Sequence, residues 1–288
     1  MLQEKKPGLF PLSVAIQGFA GSFHHMAAQK YFPDYTLEIL PCENFRDSFE
    51  YVRQAKSQVA VVAIENSLAG SLLPNYALLR NSGLQVCGEV YLRIEQNLMA
   101  LPGQRLDQIR EIQSHPMAII QCEEFLDPLR KNGVRILDTV DTALSARNIA
   151  ENKWLGVAAL ASELAASMYG LQIIAPAVET NKRNFTRFLV LARNDCNLFG
   201  SADQDKASVC FSLPHKAGSL SQVLSVLAYY QMNLTKIQSA PIVGKEWEYF
   251  FYVDLVFDSL PRLHQALAAI EPLTDQLQIL GQYKAGTV

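Results

Sequence analysis

The chain has 288 residues, 49% hydrophobic and 18% charged, with 15 Gly and 13 Pro. At roughly 150 residues per domain this suggests about two domains, and the composition excludes a disordered, collagen-like or low-complexity protein. Twenty-five basic and 28 acidic residues leave a formal net charge of −3, so neither a nucleic-acid surface nor an acidic tail is advertised. The five cysteines (Cys42, Cys87, Cys122, Cys196 and Cys210) are odd in number, scattered and without a C-x-x-C pair. That pattern points to reduced thiols in a cytosol rather than a disulfide framework or zinc site. Lys5-Lys6 mimics the start of a secretion signal, but no apolar run of signal length follows, and no run is long enough to span a bilayer.

Through the first two-thirds, short β-branched runs alternate with helix-patterned stretches. Strands are expected at 12–16, 35–40, 59–64, 84–91, 95–100, 134–138, 155–158, 171–174 and 188–193. Helices are expected at 24–31, 44–54, 72–80, 117–130, 142–151 and 162–169. Such alternation marks an α/β fold with largely parallel strands. Several strands run straight into a Gly, Ser or Asn turn and then a helix, the place where open α/β sheets bind ligands. Around 194–206 the chain turns polar and reads as a linker at 197–205. Beyond it the order is strand 206–213, helix 219–231, strand 234–241, strand 248–257, helix 261–270 and strand 277–283. That is βαββαβ, the ferredoxin-like split unit.

Four segments carry chemistry. Gly18-Phe19-Ala20-Gly21-Ser22-Phe23-His24-His25 follows a strand and opens a helix. Its glycines permit close backbone approach and Ser22 suits a helix cap, so it reads equally as an anion-holding turn or an ordinary capped one. Neither histidine has a partner at i+4, so no metal site is expected there. In Ile64-Glu65-Asn66-Ser67-Leu68-Ala69-Gly70-Ser71 a buried strand delivers polar side chains into a turn. Asn and Ser donors suit a carboxylate or carbonyl; Glu65 would repel an anion but can orient neighbours or accept from a hydroxyl. Capping and turn chemistry is the competing explanation. Ser114-His115-Pro116-Met117-Ala118-Ile119-Ile120-Gln121-Cys122 places Pro116 in a first helical turn and Gln121 two turns on from Ser114. Asn184-Phe185-Thr186-Arg187-Phe188 runs from a polar turn into a strand. Thr186 offers a hydroxyl donor, and Arg187 a carboxylate fork or, equally, a structural ion pair. No hydrolase triad, H-E-x-x-H or Schiff-base lysine context is present.

Taken together and in this order, the four segments resemble the prephenate dehydratase family. Its G-P-x-G-[ST]-F appears as Gly18 through Phe23, I-E-N-S-x-x-G-[ST] as Ile64 through Ser71, S-H-P-x-x-x-x-Q-C as Ser114 through Cys122, and T-R-F as Thr186 through Phe188. The tail is similar to an ACT regulatory domain, most clearly at Asn233-Leu234-Thr235-Lys236-Ile237 and Trp247-Glu248-Tyr249. The resemblance implies a two-lobed catalytic domain of the periplasmic-binding-protein (type II) kind at 1–196. One lobe is then 12–90 plus 176–195 and the other 91–175, followed by an ACT domain at 206–288. It implies conversion of the dianion prephenate to phenylpyruvate with loss of carbon dioxide and water, needing no cofactor and no metal. Thr186 is then the general acid, with Asn66, Gln121, Ser114 and Glu65 around it. Gly21, Ser22, Ser67, Gly70, Ser71, Arg187 and Phe188 would hold the substrate.

The resemblance also implies feedback by L-phenylalanine at Gly218, Ser219, Leu220, Asn233, Leu234, Thr235, Gln238 and Ser239. It further implies a homo-oligomer (a dimer or dimer of dimers) and a cytoplasmic protein without nucleic-acid or membrane partners. Two departures bear on the effector: Ala217 replaces the usual proline, and Gln238-Ser239-Ala240-Pro241 replaces E-S-R-P. About a dozen residues precede the first strand, which leaves no stretch for a fused helical mutase, so a single activity is expected. Arogenate dehydratase on the same scaffold, or a two-lobed binding module without catalysis, are the competing functions.

Overall fold

The computed structural model describes residues 11–196, 198–199 and 203–287. The N-terminal segment 1–10, linker positions 197 and 200–202, and residue 288 lie outside these.

The chain builds three sheets. The first contains β1 (Pro11–Gln17), β2 (Thr36–Cys42), β3 (Val59–Asn66), the two-residue β4 (Gly70–Ser71) and β5 (Gln85–Arg93). Helices α1 (Phe23–Tyr31), α2 (Phe45–Arg53) and α3 (Leu73–Ser82) connect them. Ser22 caps α1, Asn44 caps α2, and Gly83 at φ 70° ends α3 in the left-handed conformation that glycine adopts without strain. Val59 through Ile64 is an unbroken buried run, as expected for a central strand covered on both faces.

The second sheet contains β6 (Asn97–Ala100), β7 (Glu111–Ser114), β8 (Arg135–Asp138), β9 (Val157–Ala161) and β10 (Gln172–Ala175). With it go α4 (Pro116–Gln121), α5 (Glu123–Lys131), α6 (Thr142–Asn152) and α7 (Glu163–Tyr169). The chain then returns to the first sheet as β11 (Phe185–Ala192), giving the order β2-β1-β3-β11-β5, against β10-β6-β9-β7-β8 in the second. The strands are not as uniformly parallel as expected: β11 runs antiparallel to both β3 and β5, and β6 antiparallel to β9 and β10.

Three local differences have physical causes. β7, sequence Glu-Ile-Gln-Ser, is only four residues long and carries one apolar side chain, so its composition does not announce a strand. The helix expected at 117–130 is two helices, broken at Cys122 (φ −113°, ψ 17°), which takes a non-helical conformation between α4 and α5. β9 starts two residues later than expected because Gly156, at φ 72°, turns the chain there and leaves Leu155 exposed.

The third sheet contains β12 (Lys206–Ser212), β13 (Asn233–Pro241), β14 (Tyr249–Val256) and β15 (Asp275–Tyr283), with α8 (Ser219–Tyr229) and α9 (Leu260–Ile270). Its order, β13-β14-β12-β15, is the antiparallel ferredoxin-like arrangement. One face packs on α8 and α9 through Val209, Phe211, Leu227 and Leu263. The other joins the first sheet in one core: Cys210, Phe250, Tyr252 and Leu280 pack with Val62, Ile64, Tyr76, Val86 and Leu189. At Gly281 a Cβ would lie 2.1 Å from the Val86 carbonyl oxygen, so no larger residue fits there.

Four charges are buried at this junction. Arg187 on β11 donates to Glu89 on β5 (2.6 Å), to Asp254 on β14 and to the Tyr283 hydroxyl (3.1 Å). Lys206 on β12 donates to both Glu89 oxygens at 2.8 and 2.9 Å, and Ser208 donates to Asp254 at 2.6 Å. Burial alone opposes the Arg187 charge, but Asp254, Tyr283 and Glu89 outweigh it and hold its pKa well above the usual arginine value. Removing one member strands its partners without solvent. Arg187→Met is therefore expected to lower unfolding stability by about 3–5 kcal/mol, read from urea midpoints. A loss below about 1 kcal/mol, the range of an exposed pair, would contradict this account.

Candidate active site

A cavity of about 550 Å³ opens between the first and second sheets. It lies beyond the carboxyl ends of β1, β2, β3, β7 and β8, the position that strand direction favours for a ligand. From the first sheet's side it is lined by Ser22, His24, Asn44, Ala63, Asn66 and Gly70, with Thr186 and Phe188 of β11. From the second come His115, Met117, Gln121, Asp141 and Thr142.

At its centre Asn66 Nδ2 donates to Thr186 Oγ1 (3.0 Å), to Asn184 Oδ1 (2.7 Å) and to the Phe185 carbonyl (3.2 Å). Asn66 Oδ1 accepts the backbone N–H groups of Leu68 and Ala69, each at 2.9 Å. The amide is thus locked at both ends. Because Thr186 Oγ1 accepts from Asn66, its own proton is free to point elsewhere.

A bulge puts Asn66 there. Along β3, Val59, Val61 and Ala63 face α1 and the cavity side, while Ala60, Val62 and Ile64 face the C-terminal sheet. Strict alternation would send Glu65 into the cavity and Asn66 away from it. Instead, Asn66 pairs with Thr186, Glu65 with Arg187 and Ala63 with Phe188, leaving Ile64 unpaired. The extra residue turns Glu65 to the far face and Asn66 into the cavity. Glu65, expected beside the reacting groups, bonds instead to Lys236 of β13.

β11 itself alternates without interruption on this side: Thr186 and Phe188 face the cavity, while Arg187 and Leu189 face the C-terminal sheet. Arg187 was expected to hold a substrate carboxylate. Its guanidinium is consumed by Glu89, Asp254 and Tyr283, so the structural ion pair is the reading realised.

Three further expected residues do not line the cavity. The Ser114 hydroxyl is fully buried and donates to the Leu160 carbonyl at 2.7 Å, tying β7 to β9. Ser67 donates to the Arg183 carbonyl (3.0 Å) and accepts from the Phe185 N–H (2.9 Å), fixing the turn to the start of β11. Gly21, at φ 89°, lets the loop dock on α7: its carbonyl accepts from Ser162, and a Cβ would sit 3.0 Å from the Ala165 Cα. Ser22, Asn66, Gly70, Ser71, Gln121, Thr186 and Phe188 do line it.

Sequence reasoning missed His24, Gln96, His115 and Asp141 as lining residues. His24 Nε2 accepts the Ala63 N–H at 3.3 Å, and its ring packs on Phe188 and Phe45. Burial lowers its pKa to about 4, so it is a neutral imidazole whose Nδ1 carries the proton. His115 Nδ1 accepts the Met117 N–H (3.2 Å) and caps α4. Gln96 is 2% exposed and its Oε1 has no partner. Asp141 caps α6 through Leu144 (2.8 Å); burial raises its pKa, while the Leu144 and Ala143 N–H groups oppose that. It also reaches across to the loop, since a Cβ on Gly18 would lie 2.5 Å from its Oδ2. Helix caps were the available signal for both His115 and Asp141.

The electrostatics of the cavity follow from its helices. The N-terminal ends of α1, α2, α3, α4 and α6 all open onto it, through Ser22-Phe23, Asn44-Phe45, Leu72, His115 and Asp141-Thr142. Its described lining contains no lysine or arginine, and its acids are Glu43 and Asp141. Positive potential there comes from helix dipoles and neutral donors rather than from cations. Among the described residues no cluster of three metal-ligating side chains occurs, and no helix is long and apolar enough to cross a membrane.

A second cavity, of about 370 Å³, lies in the C-terminal unit beside the start of α8. Ser219 and Leu220 line it, together with His215, Trp247, Tyr249 and Phe251. Gly218, at φ 83°, is the N-cap of α8 and does not line it. Asn233, Leu234, Thr235, Gln238 and Ser239 are on β13, an edge strand of the sheet, and also lie outside this lining.

Residues 14–196 match the prephenate dehydratase family. The chain is 38% identical, over 95% of its length and 73% of the relative's, to arogenate dehydratase/prephenate dehydratase 2, chloroplastic, of Arabidopsis thaliana. Among solved structures it is similar to prephenate dehydratase from Arthrobacter aurescens in complex with L-Phe, with a TM-score of 0.82, 27% identity and 95% and 90% of the two chains covered. It is also similar to the quorum-quenching acylase GqqA, with a TM-score of 0.83, 31% identity and 95% and 98% covered. With the family pattern spanning 183 residues and a curated relative aligned over nearly the whole chain, this protein belongs to the prephenate dehydratase family of lyases.

Proposed function

We propose that this enzyme converts prephenate to phenylpyruvate, and that the Asn66–Thr186 pair carries the chemistry. The observation that carries this reading is the hydroxyl of Thr186, held in a dipole-lined cavity by an amide that donates to its oxygen. As the ring carboxylate leaves as carbon dioxide, its C–C bonding electrons enter the ring and the C–O bond to the hydroxyl breaks. The departing oxygen takes a proton from Thr186 Oγ1 and leaves as water, and the threonine recovers its proton from solvent. Threonine is a weak acid. Donation from Asn66 stabilises negative charge developing on Oγ1, and fixed geometry supplies the rest. Gln121 and Gln96, whose Oε1 has no partner, are placed to hold polar groups of the substrate. The helix N-termini and the turn at Gly70-Ser71 suit its carboxylates.

We read 1–196 as the catalytic domain, with two lobes of the periplasmic-binding-protein kind, 197–205 as linker and 206–288 as an ACT domain. L-phenylalanine is proposed to bind the C-terminal cavity between subunits of a homo-oligomer and to lower activity. Five free cysteines accord with a reducing, cytoplasmic setting.

One observation favours a second substrate. Glu43 and Asp141, in a described lining without lysine or arginine, offer partners for a side-chain ammonium, which favours arogenate as a second substrate beside prephenate.

Incubation with prephenate is expected to yield phenylpyruvate absorbance, and Thr186→Val to lower kcat by about 10²–10⁴-fold with an unchanged melting temperature. A near-wild-type rate would remove Thr186 from the mechanism. If arogenate is the preferred substrate, Asp141→Asn, which keeps the helix cap, should reduce its kcat/KM relative to prephenate by about tenfold, the value of one charge-assisted hydrogen bond. An unchanged ratio excludes that role. Millimolar phenylalanine is expected to raise the melting temperature and slow turnover; no effect on either would remove the effector assignment.

A further inference from the structure

We propose that Lys236, supplied by the C-terminal unit, is a positioning residue for the catalytic pair Asn66–Thr186. The inference rests on the reading of that pair as catalytic.

Lys236 Nζ donates to the Glu65 carboxylate and to Ser71 Oγ, the latter at 2.6 Å. Glu65 and Ser71 are register partners across β3 and β4, as are Asn66 and Gly70 one position on. A single ammonium therefore clamps β3 one residue from Asn66 and β4 at Ser71, which itself lines the cavity. Glu65 and Asn66 face opposite sides of the strand and the Ile64 bulge decides which of them enters the cavity, so anchoring Glu65 fixes the rotation that aims Asn66 at Thr186.

The C-terminal sheet makes a matching deviation. In the β13–β14 pairing, Leu234 is opposite Leu255 and Lys236 opposite Asp254, so Thr235 is the extra residue. Leu234 packs toward α8 and α9, and without the bulge Lys236 would follow it. Two ladders, one on each side of the junction, are thus interrupted to make one ion pair.

The pair is also part of a larger pattern. Glu65 and Arg187 are partners in the first sheet, Lys236 and Asp254 partners in the third. Glu65 meets Lys236 and Arg187 meets Asp254 across the junction. The immediate chain neighbours of Glu65 and Arg187 are Asn66 and Thr186. The tail thus grips the catalytic pair from behind at both members.

The test compares wild type, Lys236→Met and Lys236→Arg in the full chain, with melting curves to separate mispositioning from unfolding. Wild-type turnover of prephenate or arogenate tests the functional reading; the ratio of variant to wild type tests this inference. Lys236→Met is expected to lower kcat by about ten- to a hundredfold, as misplacement of a reacting group does, with KM little changed and much of the rate restored in Lys236→Arg. Amide exchange at Leu68 and Ala69, whose N–H groups bond to Asn66, is expected to quicken in Lys236→Met while Val61 is unaffected. Unchanged kcat in Lys236→Met, or an equal loss in Lys236→Arg, overturns the proposal. If wild type turns over neither substrate the functional reading fails, and the exchange rates decide: faster exchange at the turn supports the positioning role, unchanged exchange overturns it.

Discussion

Glu89, Arg187, Lys206 and Asp254 lie almost completely out of water where the C-terminal sheet meets the first sheet, and their charges sum to zero. The apolar core around them is non-directional and would tolerate sliding of one sheet over the other. The ionic cluster does not: a shift of one residue would bury unpaired charges, at a cost far larger than that of moving a leucine. The register of β11 against β12, β14 and β15 is therefore set by this cluster. Thr186 is adjacent in the chain to its central arginine, so the position of the proposed acid depends on a contact made on the opposite face of its strand.

The cavity side answers to a different constraint. It must accept an anionic substrate in a region that the chain lines with helix ends instead of cations. Helix dipoles are fixed by the backbone and need no side chain to reorganise, which suits a reaction whose difficulty is the departure of a poor leaving group. The proposed acid can then be a neutral threonine, provided the groups around it are immobile. Asn66, bonded at both ends, and His24, held neutral between two aromatic rings, meet that condition.

Much of this was legible in the sequence, for reasons that differ from element to element. Buried β-branched runs such as Val59 through Ile64 identify central strands, and Ser22 before a helical stretch identifies the cap of α1, whereas Asn44, expected inside the second helix, is its cap. Asn66, Gln121 and Thr186 were recognisable only through the resemblance of four ordered segments, since their residue types alone left turn and capping chemistry equally open. Arg187 was left open between a carboxylate fork and a structural ion pair, although the alternation Thr186, Arg187, Phe188 already separates it from its neighbours. Glu65 could not be placed by the same rule, because a bulge reverses alternation and leaves no mark in composition. Its partner, Lys236, is 171 residues away, and such pairings appear only when the sheets are assembled. Ser114 and Ser67 show the commonest difficulty: a hydroxyl suited to a ligand is equally suited to a backbone carbonyl nearby.

The absence of lysine and arginine from the described cavity lining also bears on how substrate arrives. Long-range steering of an anion needs net positive charge that projects into solvent, and this chain carries a net charge of −3. Helix-end dipoles act over a turn or so and fade quickly beyond it. With the chain and the substrate both negative, long-range encounter is mildly opposed, and attraction is felt only after the substrate has entered the cleft. Added salt screens that opposition, so the association rate should rise modestly with ionic strength instead of falling as it does for a steered anion.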